Sequence, residues 1–200
     1  MRTQNILLVG VGGQGTILAA KILAEVAVLQ GFDVKMSEVH GMAQRGGSVV
    51  THVRLGEQVH SPLVEQGEAD YIVAFERLEA LRWAHFLREG GCIVVNDQRI
   101  DPMTVITGQF RYPPEILATL QAGAGDVVVL DALQLAREVG SIKAVNVVLL
   151  GALAERMQIE KDRWLEAIRR TVPAKTLALN LEAFAAGFAA AGAPEQADAY

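Results

Sequence analysis

The 200-residue chain has one cysteine, Cys92, and only four histidines. A single thiol excludes an internal disulfide, a four-thiolate zinc site and an iron–sulfur cluster, so any cluster-type electron carrier must reside on another polypeptide. His40, His52, His60 and His85 show no metal-ligand spacing, and no metal site is expected. Basic residues are in the minority, 18 Lys and Arg against 23 Asp and Glu, for a net charge of −5. That balance argues against a polyanion-binding surface and so against nucleic acid as a partner. No stretch of about 20 residues is apolar throughout, which argues against a membrane span. The opening MRTQNILLVG carries no basic-then-apolar leader, so a cytoplasmic location is expected. G-x-S-x-G and H-E-x-x-H are both missing. What is present is ample core material: 51% of residues are apolar and 20% charged, which places the chain among folded proteins.

Asn5 to Val9 is a leucine-rich, β-branched run that reads as a buried strand, followed at once by Gly10-Val11-Gly12-Gly13-Gln14-Gly15. Thr16 to Leu29 is apolar nearly all round, with Lys21 and Glu25 its only charges; it predicts a helix packed on a sheet and ended by Gly31. Phe32 to Met36 restarts a strand and completes a βαβ unit. Residues 37–47 read as a loop. Ser48 to Leu55 alternates as a strand with one wetter face, and Gly56-Glu57 predicts a hairpin turn with Gln58 to Ser61 returning. Tyr71–Phe75 and Cys92–Val95 predict two more strands, flanking a helix over Glu76–Glu89 that Gly90-Gly91 ends. Val127 to Leu130 is a further strand, and from Ala132 onward the pattern is mostly helical. Asp162 is the expected N-cap of an amphipathic helix ahead of Pro173. The architecture expected is α/β: a mainly parallel sheet with helices on both faces, a glycine-rich first βα turn, one β-hairpin and a helical C-terminal part. One domain spans residues 1–190, with a flexible tail over 191–200.

Gly10, Gly12 and Gly15 match G-x-G-x-x-G between a strand and a helix, and Glu38 stands 23 residues past Gly15, where a ribose-binding acid is sought. Backbone N–H groups of Gly12, Gly13, Gln14 and Gly15 at a helix N-terminus suit an anion. Equally, the glycines serve close strand–helix packing. Gln14 either presents its amide to a ligand or caps local backbone groups. Glu38, His40, Gln44, Arg45 and Ser48 fall just past the carboxyl end of the second strand, where ligands and partners of open α/β sheets lie. Arg45 suits bidentate contact with a carboxylate or phosphate, or a simple pair with Glu38. Glu76, Arg77 and Glu79 open a helix, where acids suit the helix dipole. His52 reads as a satisfied structural residue and Cys92 as buried and inert. The apolar run 145–157 is either core or part of a subunit interface.

Gly10-Val-Gly-Gly-Gln-Gly15, Glu38-Val-His-Gly-Met-Ala-Gln-Arg-Gly-Gly47 and Lys143-Ala-Val-Asn-Val-Val-Leu-Leu-Gly-Ala152 resemble the gamma-type module of 2-oxoacid:ferredoxin oxidoreductases, and within it the indolepyruvate branch. The likeness runs from about residue 4 to 190. It implies a layered α/β domain without an established dinucleotide, acting as a subunit rather than a complete enzyme. The implied reaction is oxidative decarboxylation of an aryl 2-oxoacid to the acyl-CoA, with electrons passed to ferredoxin. Thiamine diphosphate, magnesium and iron–sulfur clusters are then expected on a partner alpha subunit, with coenzyme A as cosubstrate. Gln14, Glu38, His40, Gln44 and Arg45 become candidates for shaping the partner's site or the coenzyme A approach, and no catalytic residue is carried over. The alternatives are a gamma subunit acting on pyruvate or 2-oxoglutarate, a free-standing dinucleotide-binding protein, and a module binding a small anion at Gly12–Gly15 and Arg45.

Overall fold

The computed structural model describes residues 2–40, 47–123 and 125–193. Its strands are β1 (Gln4–Val11), β2 (Asp33–His40), β3 (Ser48–Gly56), β4 (Ala69–Ala74), β5 (Leu87–Asn96) and β6 (Asp126–Leu130). The helices are α1 (Thr16–Leu29), α2 (Arg77–Trp83), α3 (Met103–Ile106), α4 (Ile116–Gly123), α5 (Ala132–Glu138), α6 (Val145–Arg156), α7 (Lys161–Thr171) and α8 (Leu177–Gly192). The strands make one sheet in the order β2-β3-β1-β4-β5-β6. β1, β4, β5 and β6 run parallel, and β3 is antiparallel to both of its neighbours.

Alternation along β1 divides the core. Ile6 and Leu8 join Ile22, Leu23, Leu149 and Trp164 under the helices α1, α6, α7 and α8. Leu7 and Val9 join Ile72, Ile93, Leu78 and Leu120 under α2 and α4. Every residue of β1 from Asn5 to Val11 is buried because both sheet faces are covered. The run at 145–157 is core: Val147 to Leu150 and Ala152 are fully buried between the sheet and α8.

Four local expectations are corrected. The hairpin joins β2 to β3, and residues 37–40 belong to β2 rather than to a loop. Gln58–Ser61 forms no strand, because both edges of β3 are already taken by β1 and β2. The helix expected over Glu76–Glu89 stops at Trp83; a 3₁₀ turn at Ala84–Phe86 follows, and Gly90-Gly91 lie within β5. There a Cβ on Gly91 would fall 2.8 Å from Leu87 Cδ1, so its bareness serves packing rather than helix termination. Finally, α7 starts after Glu160, and Asp162 sits in its first turn without capping it, where its charge favours the helix dipole. Helix α8 runs on to Gly192, and the tail beyond Ala193 lies outside the described residues.

His52 is the satisfied core histidine the alternation suggested. Its Nδ1 accepts the Val64 N–H at 3.1 Å, and the ring meets Trp83 and Phe86 edge-on. Burial pushes the imidazole below its usual value, so the folded state favours the neutral ring. The unfolded chain takes up this proton from about pH 6.5 downward, and the folded chain takes it up only at lower pH. Stability is therefore expected to fall as pH drops through that value. His52→Asn should flatten this part of a Tm-against-pH curve; an unchanged slope would refute the assignment.

Candidate functional site

Because β3 runs against its neighbours, one sheet edge collects the carboxyl ends of β1, β2, β4, β5 and β6 and the start of β3. The glycine turn lies at the centre of that edge. Gly13 and Gly15 have φ of 101° and 86°, left-handed values that favour glycine. A Cβ on Gly15 would fall 2.8 Å from Asn146 Nδ2, and one on Gly10 would fall 2.8 Å from Gln14 Oε1 and 3.0 Å from Phe75 Cβ. Both glycines thus admit a neighbour at close range.

Much of the turn's polar capacity is occupied internally. Gly12 N–H donates to Gly47 O at 2.9 Å and Gln14 N–H to Val11 O at 3.2 Å. The Gln14 side chain accepts the Val11 N–H at 2.7 Å and donates to Phe75 O at 3.0 Å, which ties the end of β1 to the end of β4. Of the two roles read for Gln14, backbone capping is the one this geometry supports. Asn146, at the start of α6, donates to Gly15 O at 3.2 Å across a separation of 131 residues. No side chain caps α1 and no acid sits in its first turn.

Two acids beside the turn are buried. Glu76, 1% exposed, accepts the N–H groups of Glu79 at 3.0 Å and Ile100 at 3.1 Å and the Tyr112 hydroxyl at 2.5 Å. Glu79 accepts the Ser48 hydroxyl and an Arg82 N–H at 3.1 Å. Burial raises the Glu79 carboxyl against the opposing pull of Ser48 and Arg82. Burial, and then the Glu76 carboxylate, push the Tyr112 phenol upward, so it remains a donor. The stem of β3 is consequently held at two points, Gly47 on the glycine turn and Ser48 on Glu79. The dipole reading placed Glu76 and Glu79 correctly at a helix start but missed their burial. Asn146 was signalled by its isolation within an apolar run, since a buried amide needs a partner.

Glu38 is exposed on the edge strand β2, opposite Thr51. β3 separates it from β1, so the acid's strand lies about 10 Å from β1 rather than the ~5 Å of adjacent strands. A dinucleotide fingerprint requires adjacency, so this order counts against it. His40 ends β2, where its backbone pairs with Val49. Its side chain, and both Gln44 and Arg45, lie outside the described residues. A cavity of about 580 Å³ opens at the opposite edge, lined by Leu81, His85, Arg88 and Leu120 among others and by none of these candidates.

A family model for pyruvate ferredoxin/flavodoxin oxidoreductase matches residues 5–190. The chain belongs to this family. Within the oxidoreductase family it is 41% identical over 196 residues to indolepyruvate oxidoreductase subunit IorB of Thermococcus kodakarensis, covering 96% of this chain and 97% of that one. It is 29% identical over 165 residues to the pyruvate/ketoisovalerate oxidoreductases common subunit gamma of Thermococcus litoralis, covering 81% and 83%. The fold matches 2-oxoglutarate:ferredoxin oxidoreductase of Magnetococcus marinus, with a TM-score of 0.72 and 25% identity. That match takes in all of this chain but only 33% of the other. The family resemblance and its indolepyruvate branch, read from three short segments, therefore extend along the whole oxidoreductase-family domain, and the α/β architecture agrees.

Cys92 is enclosed within β5, and burial, followed by the nearby Asp126 carboxylate, pushes its thiol well above the usual range; one such group cannot hold an iron–sulfur cluster. No group of three or more His, Cys, Asp or Glu among the described residues is placed to hold a metal ion. No described helix is long and apolar enough to cross a membrane.

Proposed function

We propose that this chain is the subunit lacking thiamine diphosphate in an indolepyruvate-type 2-oxoacid:ferredoxin oxidoreductase. Its companion carries thiamine diphosphate, magnesium and iron–sulfur clusters; coenzyme A is the cosubstrate and ferredoxin the acceptor, in the cytoplasm. The observation that carries this reading is the identity pattern: 41% across nearly the full length with subunit IorB, against 29% with the pyruvate/ketoisovalerate gamma subunit. A lone buried thiol agrees with that division of labour. The carboxyl edge of the sheet, with the glycine turn and Glu38, is the surface we assign to shaping the companion's site, and from the motif that follows in sequence we assign His40, Gln44 and Arg45 the same role. Gly10 and Gln14 set the turn that supports it.

Reconstitution tests the proposal. The chain and its companion are assayed separately and together for acyl-CoA formation and reduction of a viologen dye, with indolepyruvate, pyruvate and 2-oxoglutarate. Turnover should need both chains and favour indolepyruvate by about tenfold or more in kcat/KM, a difference of at least ~1.4 kcal/mol in transition-state stabilisation. Undiminished turnover by the companion alone would overturn the subunit assignment, and a preference for pyruvate would overturn the branch.

A further inference from the structure

Three large apolar side chains project from one short segment at the carboxyl edge. Met103 is 66% exposed, Ile106 65% and Phe110 69%. Met103 and Ile106 sit three residues apart on α3 and so share a face. Gly108, at φ 76°, ends the helical turn, and Phe110 N–H closes back on Thr104 O at 3.0 Å. The other large apolar residues that are exposed lie singly or in pairs, Ile17 and Val28 eleven residues apart on α1, Met36 and Val39 on β2, and Leu63 and Ile142 alone, which is ordinary for a protein surface.

The mounting of this segment is the second observation. Buried Glu76 grips it at both ends, through Ile100 N–H and the Tyr112 hydroxyl. Arg77 pairs with Asp97 and donates its N–H to Gln98 O at 3.0 Å. The Arg99 guanidinium lies 4.3 Å from the centre of the Tyr112 ring. A segment held this firmly has lost its freedom before any partner arrives, which is how preorganised contact surfaces limit the entropy cost of binding.

Charge and symmetry identify the occupant. Arg111, beside Phe110, is exposed and has no ion-pair partner among the described residues. A two-fold contact through this patch would place two copies of the cation in one interface, between two chains that each carry a net charge of −5. A different chain, offering an apolar socket with an acidic rim, suits it better. In the 2-oxoglutarate enzyme this fold is one third of a longer chain, with the rest of the polypeptide joined to it.

We propose that Met103, Ile106 and Phe110 form the anchor by which this chain docks into an acid-rimmed apolar socket on its thiamine-diphosphate subunit. The inference rests on the subunit reading above. The test uses the full chain and the tagged companion subunit, with affinity measured by titration. Combined Ile106→Asp and Phe110→Asp should weaken binding about 30-fold or more while Tm stays within about 2 °C of the parent, since anchor residues carry most of an interface's energy. Val28→Asp, a change at another exposed apolar residue, should bind as the parent does. Arg111→Glu should slow association and reduce its sensitivity to salt. Parental affinity in the double variant overturns the anchor while leaving the subunit reading intact. Failure of the parent chain to bind the companion overturns both. Loss of self-association without loss of companion binding shows the patch to be a contact between copies, and likewise overturns the proposal.

Discussion

Gly187→Ala is expected to lower stability by at least about 3 kcal/mol and Tm by roughly 10 °C. Helices α6 and α8 touch backbone to backbone. A Cβ at Gly187 would lie 1.8 Å from the Val148 carbonyl oxygen, and one at Gly151 2.1 Å from the Phe184 carbonyl oxygen. A carbon–oxygen contact needs about 3.3 Å even when it is favourable, so the helices would have to part by more than an ångström. Both obstacles are main-chain atoms, and no rotamer change relieves them. Parting α8 from α6 opens the core where Leu149, Leu150, Ala183 and Phe184 are fully buried. Gly151→Ala should behave alike, and the two changes should add incompletely because they disturb one contact. Gly123→Ala is the control: nothing lies within 4 Å of its Cβ position, so stability should change by less than about 1 kcal/mol. Thermal unfolding followed by circular dichroism measures all three. A Gly187→Ala protein melting within about 2 °C of the parent would show that the helices do not meet so closely.

Glu76→Ala should be nearly as damaging, at about 2–4 kcal/mol, for an electrostatic reason. Three buried or half-buried donors, the N–H groups of Glu79 and Ile100 and the Tyr112 hydroxyl, converge on one carboxylate. Truncation removes their acceptor without admitting enough water to replace it. Glu76→Gln should cost less, since one oxygen remains, yet its NH₂ group must face a donor. Tyr112→Phe removes a single bond and should cost about 1–1.5 kcal/mol. Urea denaturation ranks the three. Hydrogen exchange of residues 98–112 adds a local reading: in Glu76→Ala the segment carrying Met103, Ile106 and Phe110 should exchange faster than α1. Parental stability together with unaltered exchange would remove Glu76 from its role as the mount of that segment.

Helix α1 was legible residue by residue, from Thr16 to Leu29, because an apolar run bounded by a glycine turn and Gly31 is a local signal. The cores of β1, β4, β5 and β6 were legible for the same reason. The end of α2 was not, because Gly90-Gly91 carry the same letters in a strand as past a helix, and their environment against Leu87 and Ala69 settles which applies. The candidate site divides similarly. The glycine turn and the edge residues around it stood out by composition. Gln14's attachment to Phe75 and Asn146's to Gly15 join residues 61 and 131 positions apart, and no spacing announces such pairs.

Composition and motif spacing alone establish that this polypeptide cannot assemble an iron–sulfur cluster and that it opens with a strand, a glycine turn and a helix. Periodicity is a property of near neighbours, and thiol number needs no coordinates. Strand order, the placing of β3 between β1 and β2, the burial of Glu76 and Glu79, and the assignment of α6 to the core rather than a surface are settled by packing. Each depends on which edge is free, or which face finds cover, among segments far apart along the chain; that is decided only when they meet.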